Sequence, residues 1–248
     1  MTYIVPTYHP AHLLRDATFQ IAVISDLEKA VRIAEHGPTL IPKCYRDNQP
    51  MPTWAITPDA KTILDWLAAH KGQTLSLDLE STYRDEIMCM GLWPVDRACT
   101  EQGLCIPFRK QYGKDYWDSQ HDRLRVVCAV FDMLRDPTWP KIGQNIAGFD
   151  IPLMKRVWDI ETRGLLGDTM VMHSLVMPEL PHGLAFLSSI FTDLGAFKRD
   201  VHTNESEKDD VNKWEAVQDY ADDNLRTYCL LDCLATALTW TALERMAA

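Results

Sequence analysis

The chain has 248 residues, 46% of them hydrophobic and 24% charged, which is typical of a soluble globular protein with one sizeable domain and an appendage. It has no run of about 18 apolar residues and no basic start followed by an apolar stretch, so we expect neither a membrane span nor a secretory signal. The formal net charge of −10 argues against a generally basic surface that binds polyanions, and seven cysteines without a C-x-x-C pair favour a reducing cytoplasm without disulfides or zinc.

The first 52 residues are predicted to form an extension and a linker. Residues 1–35 have the pattern of a strand, a turn and an amphipathic helix, with Ser25 as the candidate N-cap of the helix. Four prolines punctuate residues 37–53, which is typical of a linker. We therefore expect a domain boundary between residues 52 and 53.

Residues 53–248 are predicted to form one α/β domain. A helix is expected to start at Thr57 and Pro58. Three strand patterns follow, over residues 74–80, 86–93 and 103–108. The later elements are a helix over 119–134, a short strand at 139–142, and helices that open at Asp150, at Asp168 and over 184–192. Residues 198–213 favour a mobile loop, and a helical end is expected over 214–246. This order predicts a mixed sheet with helices on both faces.

Two acids stand close together in the first of these strands. Alternation along residues 76–82 puts Asp78 and Glu80 on one face, while Leu77 and Leu79 point into a core on the other. Neighbouring carboxylates repel each other and resist ionisation unless a cation lies between them. The pair therefore predicts a metal site, with surface acids at a strand end as the alternative.

Two later segments carry further polar residues. Residues 143–150 read G-Q-N-I-A-G-F-D and contain Asn145, Phe149 and Asp150. Tyr228 and Asp232 are four residues apart, so on a helix they share one face. Taken singly, Asn145 and Asp150 have the pattern of helix-capping residues, and Asp232 that of an acid at the solvent edge of a helix.

The three segments together resemble a known family. Their order resembles the DEDDy subgroup of 3′–5′ exonucleases, and residues 141–145 are similar to the second motif of the proofreading domain of family A DNA polymerases. Residues 149–153 are also similar to family B proofreading domains, and Asp168-Thr169 with His182-Gly183-Leu184 resembles the family A region before the third motif. The resemblance covers residues 53–248 and implies a ribonuclease H-like fold.

The resemblance also implies a role for each matching residue. The two divalent cations, Mg²⁺ or Mn²⁺, would be held by Asp78, Glu80, Asp150 and Asp232. Tyr228 would orient the attacking water, and Glu80 would assist as acceptor. The terminal nucleotide would be contacted by Leu79, Ser81, Thr82, Asn145 and Phe149.

The implied activity is hydrolysis of terminal phosphodiesters at the 3′ end of single-stranded or frayed DNA, with nucleoside 5′-monophosphates as products. The implied setting is the cytoplasm of a bacterium or of a phage-infected host, with a separately encoded DNA polymerase as partner and no membrane. Because the net charge is −10, we expect weak, distributive binding of nucleic acid. Two alternatives stay open: a ribonuclease D-like enzyme that trims RNA 3′ ends, and an inactive binding subunit for a polymerase or glycosylase.

The remaining candidates favour structural roles. His173 and His182 are expected to be structural or near the substrate. A solvated, charged face is expected from the basic residues Lys155, Arg156, Lys198 and Arg199. The tryptophans Trp54, Trp66 and Trp214 are expected to pack in the core or at its edge.

The N-terminal segment has a resemblance of its own. Residues 5–15 (V-P-T-Y-H-P-A-H-L-L-R) and 26–30 are similar to the tail of family 4 uracil-DNA glycosylases. The other segments of a glycosylase are missing, so we expect an appendage that packs on the nuclease rather than a second activity.

Overall fold

The structure is a computed structural model that describes residues 5, 7–36, 53–82, 84–96, 98, 102–110, 113–192, 194 and 222–247. The strand predicted near the N-terminus, most of the proline-punctuated linker and the charged loop at 198–213 lie outside these residues. So do Lys198, Arg199 and Trp214. The domain boundary between residues 52 and 53 stays a prediction.

Within the described residues, six strands form one mixed sheet. Their bounds are β1 (Trp54–Ala55), β2 (Leu75–Ser81), β3 (Ile87–Pro94), β4 (Gly103–Pro107), β5 (Lys141–Gly143) and β6 (Leu165–Asp168). The strand order is β1-β4-β3-β2-β5-β6, in which β3 is antiparallel to its neighbours β2 and β4 and the remaining pairs are parallel. The predicted mixed α/β sheet is confirmed, whereas β1 and β6 were not predicted.

Helices cover both faces of this sheet. Their bounds are α1 (Pro10–Leu13), α2 (Gln20–His36), α3 (Ala60–Ala69), α4 (Gln120–Arg135), α5 (Asp150–Trp158), α6 (Thr169–Val176), α7 (Leu184–Phe191) and α8 (Asp222–Ala247). Side chains cap four of these described helices at the N-terminus: Asp59 on α3, Ser119 on α4, Asp168 on α6 and His9 on α1. The first of these caps lies two residues beyond the predicted start at Thr57. No helix in the described part of the chain is long and apolar enough to cross a membrane.

The alternation of β2 divides the core between the two faces of the sheet. Leu75, Leu77 and Leu79 are buried in one cluster with side chains of α3, α4 and α5. The second cluster joins β3 and β4 to α8, through Cys89, Trp93 and other buried residues. The residues of β2 that point away from the leucines therefore face α8, the helix that carries the third predicted motif.

The N-terminal helix differs from its prediction. Helix α2 starts at Gln20, and Ser25 is not an N-cap but a buried residue whose hydroxyl donates to the carbonyl of Ile190, 3.1 Å away. Phe19 packs edge-on against Phe186 of α7, with 6.5 Å between ring centroids. The described part of the N-terminal extension thus packs on the α/β domain through α7.

Candidate active site

The acid pair of β2 has the geometry that alternation predicts. The side chains of Leu77 and Leu79 are 1% and 4% exposed in the core, whereas Asp78 and Glu80 are half-buried and face α8. One oxygen of each carboxylate and the sulfur of Cys229 all lie within 4.8 Å of one another. The end of β2 therefore presents two carboxylates toward one turn of α8.

Helix α8 brings Tyr228 and Asp232 to the same face. Asp232 is 6% exposed, and the phenol of Tyr228 hydrogen-bonds to it. Burial, and then the negative charges of Asp232, Glu80 and Asp78, raise the pKa of Tyr228 well above its ordinary value. The phenol therefore stays protonated across the physiological range.

Asp150 is the first residue of α5 and is 2% exposed. Its Oδ1 accepts a hydrogen bond from the backbone N–H of Leu79, 3.0 Å away, which joins α5 to the strand between Asp78 and Glu80. Burial, together with the charges of Asp168 and Asp232, raises the pKa of Asp150 to about 7, although the bond from Leu79 acts in the opposite direction. Pro152 lies in the first turn of α5, as predicted.

Electrostatic interactions connect the acids of the three segments, although among the described residues only Asp78 and Glu80 place carboxylate oxygens within 4.8 Å of each other and of Cys229. Asp232 acts electrostatically on Asp150, and the charges of Asp78, Asp232 and Asp150 all raise the pKa of Cys233, which burial and these charges bring to about 12. Three segments that are distant in sequence thus place their acids around the same turn of α8.

This donor set fits hard divalent cations. Carboxylate oxygens are the ligands that Mg²⁺ and Mn²⁺ prefer, and gathered carboxylates repel one another until a cation neutralises them. Cys229 does not extend the set, because burial raises the pKa of its thiol well above the ordinary value and the thiol donates to the carbonyl of Asp78.

A fifth acid, Asp168, holds the loop that leads to Asp150. It caps α6 by accepting from the N–H of Met170 at 2.9 Å, and it also accepts from the N–H groups of Asn145 at 2.8 Å and Ala147 at 3.3 Å. Asn145 needs this support, since its φ of 56° is a left-handed conformation that non-glycine residues rarely adopt. The sequence predicted Asp168 as a helix start and as part of the region that resembles family A proofreading domains, but not as the residue that holds this loop.

The predicted substrate contacts divide into two groups. The side chain of Asn145 is exposed and that of Phe149 is half-buried, so both have surface to offer. Leu79 lies in the core, and its contact with the site is its backbone N–H. Ser81 and Thr82 are 3% exposed, and the Thr82 hydroxyl accepts from the N–H of Glu86 at 3.3 Å, within the turn after β2. The side chains of Leu79, Ser81 and Thr82 therefore offer little surface, and the contact of these residues with a terminal nucleotide stays a prediction.

The residues for which we expected structural roles are buried or paired in the structure. His173 is fully buried and its Nδ1 lies 2.7 Å from Nδ1 of His182. Lys155 and Arg156 are exposed and paired with Asp159 and Asp85, each at 2.5 Å. Trp66 is 7% exposed in the core, and Trp54 packs beside Trp93.

Comparison with solved structures finds proteins of the following kinds. The POL domain of Pol1 from M. smegmatis, in complex with DNA primer-template and dNTP, is 20% identical and covers 78% of this chain and 28% of its own, with a TM-score of 0.44. RNase D from Trypanosoma brucei is 13% identical, and the match covers 77% of this chain and 64% of that protein, with a TM-score of 0.49. RNase D from Escherichia coli is 14% identical, and the match covers 79% of this chain and 45% of that protein, with a TM-score of 0.47. The chain thus spans less than two thirds of the length of each of these proteins. The search of curated proteins gives no match.

A family model gives the identification. This family model matches the chain from Pro58 onward, so the N-terminal segment that resembles a glycosylase lies outside the match. That resemblance stays a prediction. A family model described as a 3′–5′ exonuclease matches residues 58–248, which is most of the chain, and the protein therefore belongs to the 3′–5′ exonuclease family.

Proposed function

We propose that the protein removes nucleotides one at a time from the 3′ end of single-stranded or frayed DNA and releases nucleoside 5′-monophosphates. The observation that carries this proposal is the acid pair at the end of β2, which faces the turn of α8 that holds Tyr228 and Asp232, while Asp150 of α5 accepts from the strand between the two acids. Such a set of carboxylates suits phosphodiester hydrolysis, in which negative charge has to be neutralised at the phosphate.

The proposed cation ligands are Asp78, Glu80, Asp150 and Asp232, for two Mg²⁺ or Mn²⁺ ions. Bound divalent cations would lower the pKa of a water molecule and stabilise the charge that develops on the scissile phosphate. The buried position of Asp150 and Asp232 supports this role, because buried carboxylates are stable as anions only beside a compensating charge.

The protein's own groups would orient the attack. Tyr228 stays neutral and can hold a hydrogen bond to the attacking water, while Glu80 can accept a proton from that water. The water oxygen bonds to phosphorus and the bond from phosphorus to the 3′ oxygen of the shortened strand breaks. That oxygen takes up a proton and becomes the new 3′ hydroxyl.

The loop before α5 supports contact with the terminal nucleotide. The exposed amide of Asn145 can hydrogen-bond the strand and the half-buried ring of Phe149 can pack on it. Neither contact requires a paired base. We therefore include in the proposal a proofreading role beside a separately encoded DNA polymerase, with faster removal of a mismatched than of a paired 3′ nucleotide.

End-labelled digests test the proposed function. DNA and RNA oligonucleotides of one sequence, labelled at the 5′ end, are incubated with wild type in Mg²⁺, in Mn²⁺ and in EDTA. We expect the DNA to shorten from its 3′ end only with metal, Asp78→Asn to be inactive, and the exposed Asp118→Asn to match wild type. Full-length DNA in both metals contradicts the proposal. Shortening of RNA alone identifies the ribonuclease D-like alternative, and Mn²⁺ binding without hydrolysis of either polymer identifies a binding subunit.

A further inference from the structure

A glycine of the central sheet lies directly against the turn of α8 that carries the acids. Gly91 of β3 is the cross-strand partner of Asp78. A Cβ added to Gly91 would lie 2.6 Å from Sγ of Cys233, 2.9 Å from Sγ of Cys229 and 3.1 Å from the carbonyl oxygen of Cys229. The last of these atoms is backbone and cannot rotate away. Helix α8 can therefore approach β3 this closely only because residue 91 has no side chain.

The helix side of this contact is equally small and tight. Cys229 and Cys233 are one helical turn apart and both are fully buried. Tyr228 and Asp232 each immediately precede one of these cysteines in the sequence. The depth at which the two thiols rest on β3 therefore also sets how far the phenol and the carboxylate reach toward β2.

A second contact joins the same turn to β2. The thiol of Cys229 donates to the carbonyl oxygen of Asp78, 3.6 Å away, which is within the range of a sulfur hydrogen bond. It thus links α8 to the backbone of the residue whose side chain faces the site. Protein interiors are close-packed, so a helix displaced at Gly91 shifts as a body rather than deforming around one added methyl group.

We propose that Gly91 is a positioning residue of the nuclease: by admitting Cys229 and Cys233 against β3, it sets the distance between the acids of α8 and those of β2. The inference rests on the proposed cation-binding role of Asp78 and Asp232. It goes beyond that role because it assigns the geometry of the ligands to a residue that touches neither substrate nor cation.

The test compares two glycines of the same sheet. Gly91→Ala is expected to weaken Mn²⁺ binding at least about tenfold and to lower kcat about 100-fold with little change in KM, since displacement of a catalytic group by about 1 Å has effects of that size. Gly103→Ala is the matched control, because a Cβ there would overlap the ring of Trp93 in the same core. It should lose stability yet keep the Mn²⁺ affinity of wild type. Mn²⁺ affinity is measured by calorimetry at a temperature where circular dichroism shows every variant folded.

Removal of the obstructing sulfur provides the rescue. Cys233→Ala combined with Gly91→Ala takes away the atom at 2.6 Å, and we expect the double variant to recover part of the lost Mn²⁺ affinity. If Gly91→Ala does not fold, Cys233→Val crowds the same contact from the helix side and should weaken Mn²⁺ binding in the same way.

Three results would overturn the inference. They are wild-type Mn²⁺ affinity in folded Gly91→Ala, an equal loss of affinity in Gly103→Ala, and wild-type affinity in Cys233→Val. A wild type that neither binds Mn²⁺ nor degrades nucleic acid would instead overturn the proposed function, and this inference with it. The wild-type measurement therefore separates the two failures.

Discussion

Among single residues, Tyr228 offers the most specific prediction. Its phenol is surrounded by Asp232, Glu80 and Asp78, and burial with these charges keeps the pKa well above the physiological range, so the group can orient a water molecule but cannot act as a base. Tyr228→Phe removes only the hydroxyl. We expect kcat to fall about 100-fold, because the attacking water loses its orientation, while KM stays the same. Single-turnover digestion of a labelled oligonucleotide measures the change.

Tyr116→Phe is the control for the loss of a phenol hydroxyl. Tyr116 is half-buried like Tyr228, but its ring lies under the guanidinium of Arg226, 4.9 Å from the ring centroid. Its variant should keep wild-type kcat. Equal rates for Tyr228→Phe and wild type would remove the tyrosine from the mechanism and leave orientation of the water to Glu80.

The buried His173 should make the free energy of unfolding depend on pH. Burial, and then the neighbouring His182, lower the pKa of His173 from 6.5 to about 4. Between these pH values the unfolded chain binds the proton and the folded protein does not, so the free energy of unfolding falls as the pH drops from 6.5 toward 4. The loss from this residue is at most about 3 kcal/mol. Urea denaturation at several pH values measures it.

His173→Asn separates this contribution from that of the acids. The asparagine amide can still donate to His182 but does not titrate, so the slope of stability against pH between 4 and 6.5 should become shallower than in wild type. The exposed His121→Asn should leave the slope unchanged. Parallel slopes for His173→Asn and wild type would contradict the assignment.

Among the elements, the start of α6 supports the start of α5. Asp168 accepts three backbone N–H groups, two of them from the loop that precedes Asp150. Asp168→Ala leaves these donors without their partner, and we expect a loss of about 2–4 kcal/mol in the free energy of unfolding. Because the loop also positions Asp150, kcat should fall as well. Chemical denaturation and single-turnover kinetics measure the two effects.

Asp59→Ala is the matched control, since Asp59 caps α3 through one N–H group, that of Thr62 at 2.7 Å, and is exposed. It should cost less stability than Asp168→Ala and leave kcat unchanged. A kcat of Asp168→Ala equal to that of wild type at full folding would reduce Asp168 to a helix cap without a role in the site.

The sequence predicted the long, regular elements and missed those that depend on tertiary contacts. The alternation of residues 76–82 was enough to orient Asp78 and Glu80 correctly. Strand β6 was missed because its four residues, with Leu165 and Leu166 both exposed, show no alternation and it forms only by pairing with β5 at the sheet edge. Ser25 has the pattern of an N-cap, but its hydroxyl is used in a contact with Ile190, which local sequence cannot reveal.

For the molecule as a whole, the sequence pointed to the acids that we propose as cation ligands, but not to the packing that places them. Spacing and order pointed to Asp150 and Asp232, whose chemistry needs particular residue types. Gly91 and the thiol of Cys229 act through close approach of α8 to the sheet, and that approach has no sequence pattern. Residues with particular chemical groups are easier to recognise in a sequence than residues that set the distance between two elements.

The same gathering of charge predicts a trade between stability and function. In wild type without metal, the carboxylate of Asp232 repels neighbouring acids and helps to raise the pKa of Asp150. Asp232→Asn removes one negative charge at nearly constant volume, so in EDTA we expect its free energy of unfolding to exceed that of wild type by about 1 kcal/mol. Urea denaturation in EDTA measures the difference, and Asp118→Asn, an exposed substitution, should show none.

Divalent cations should reverse the order of stability of wild type and Asp232→Asn. A ligand that binds only the folded state stabilises it by about 2.7 kcal/mol at a concentration 100 times its Kd, and wild type should gain this amount in Mn²⁺. Asp232→Asn has lost a proposed ligand and should gain much less. Wild type would then be the less stable protein in EDTA and the more stable one in Mn²⁺. If Asp232→Asn were less stable than wild type in EDTA and gained equally from Mn²⁺, Asp232 would be a structural acid rather than part of a cation site.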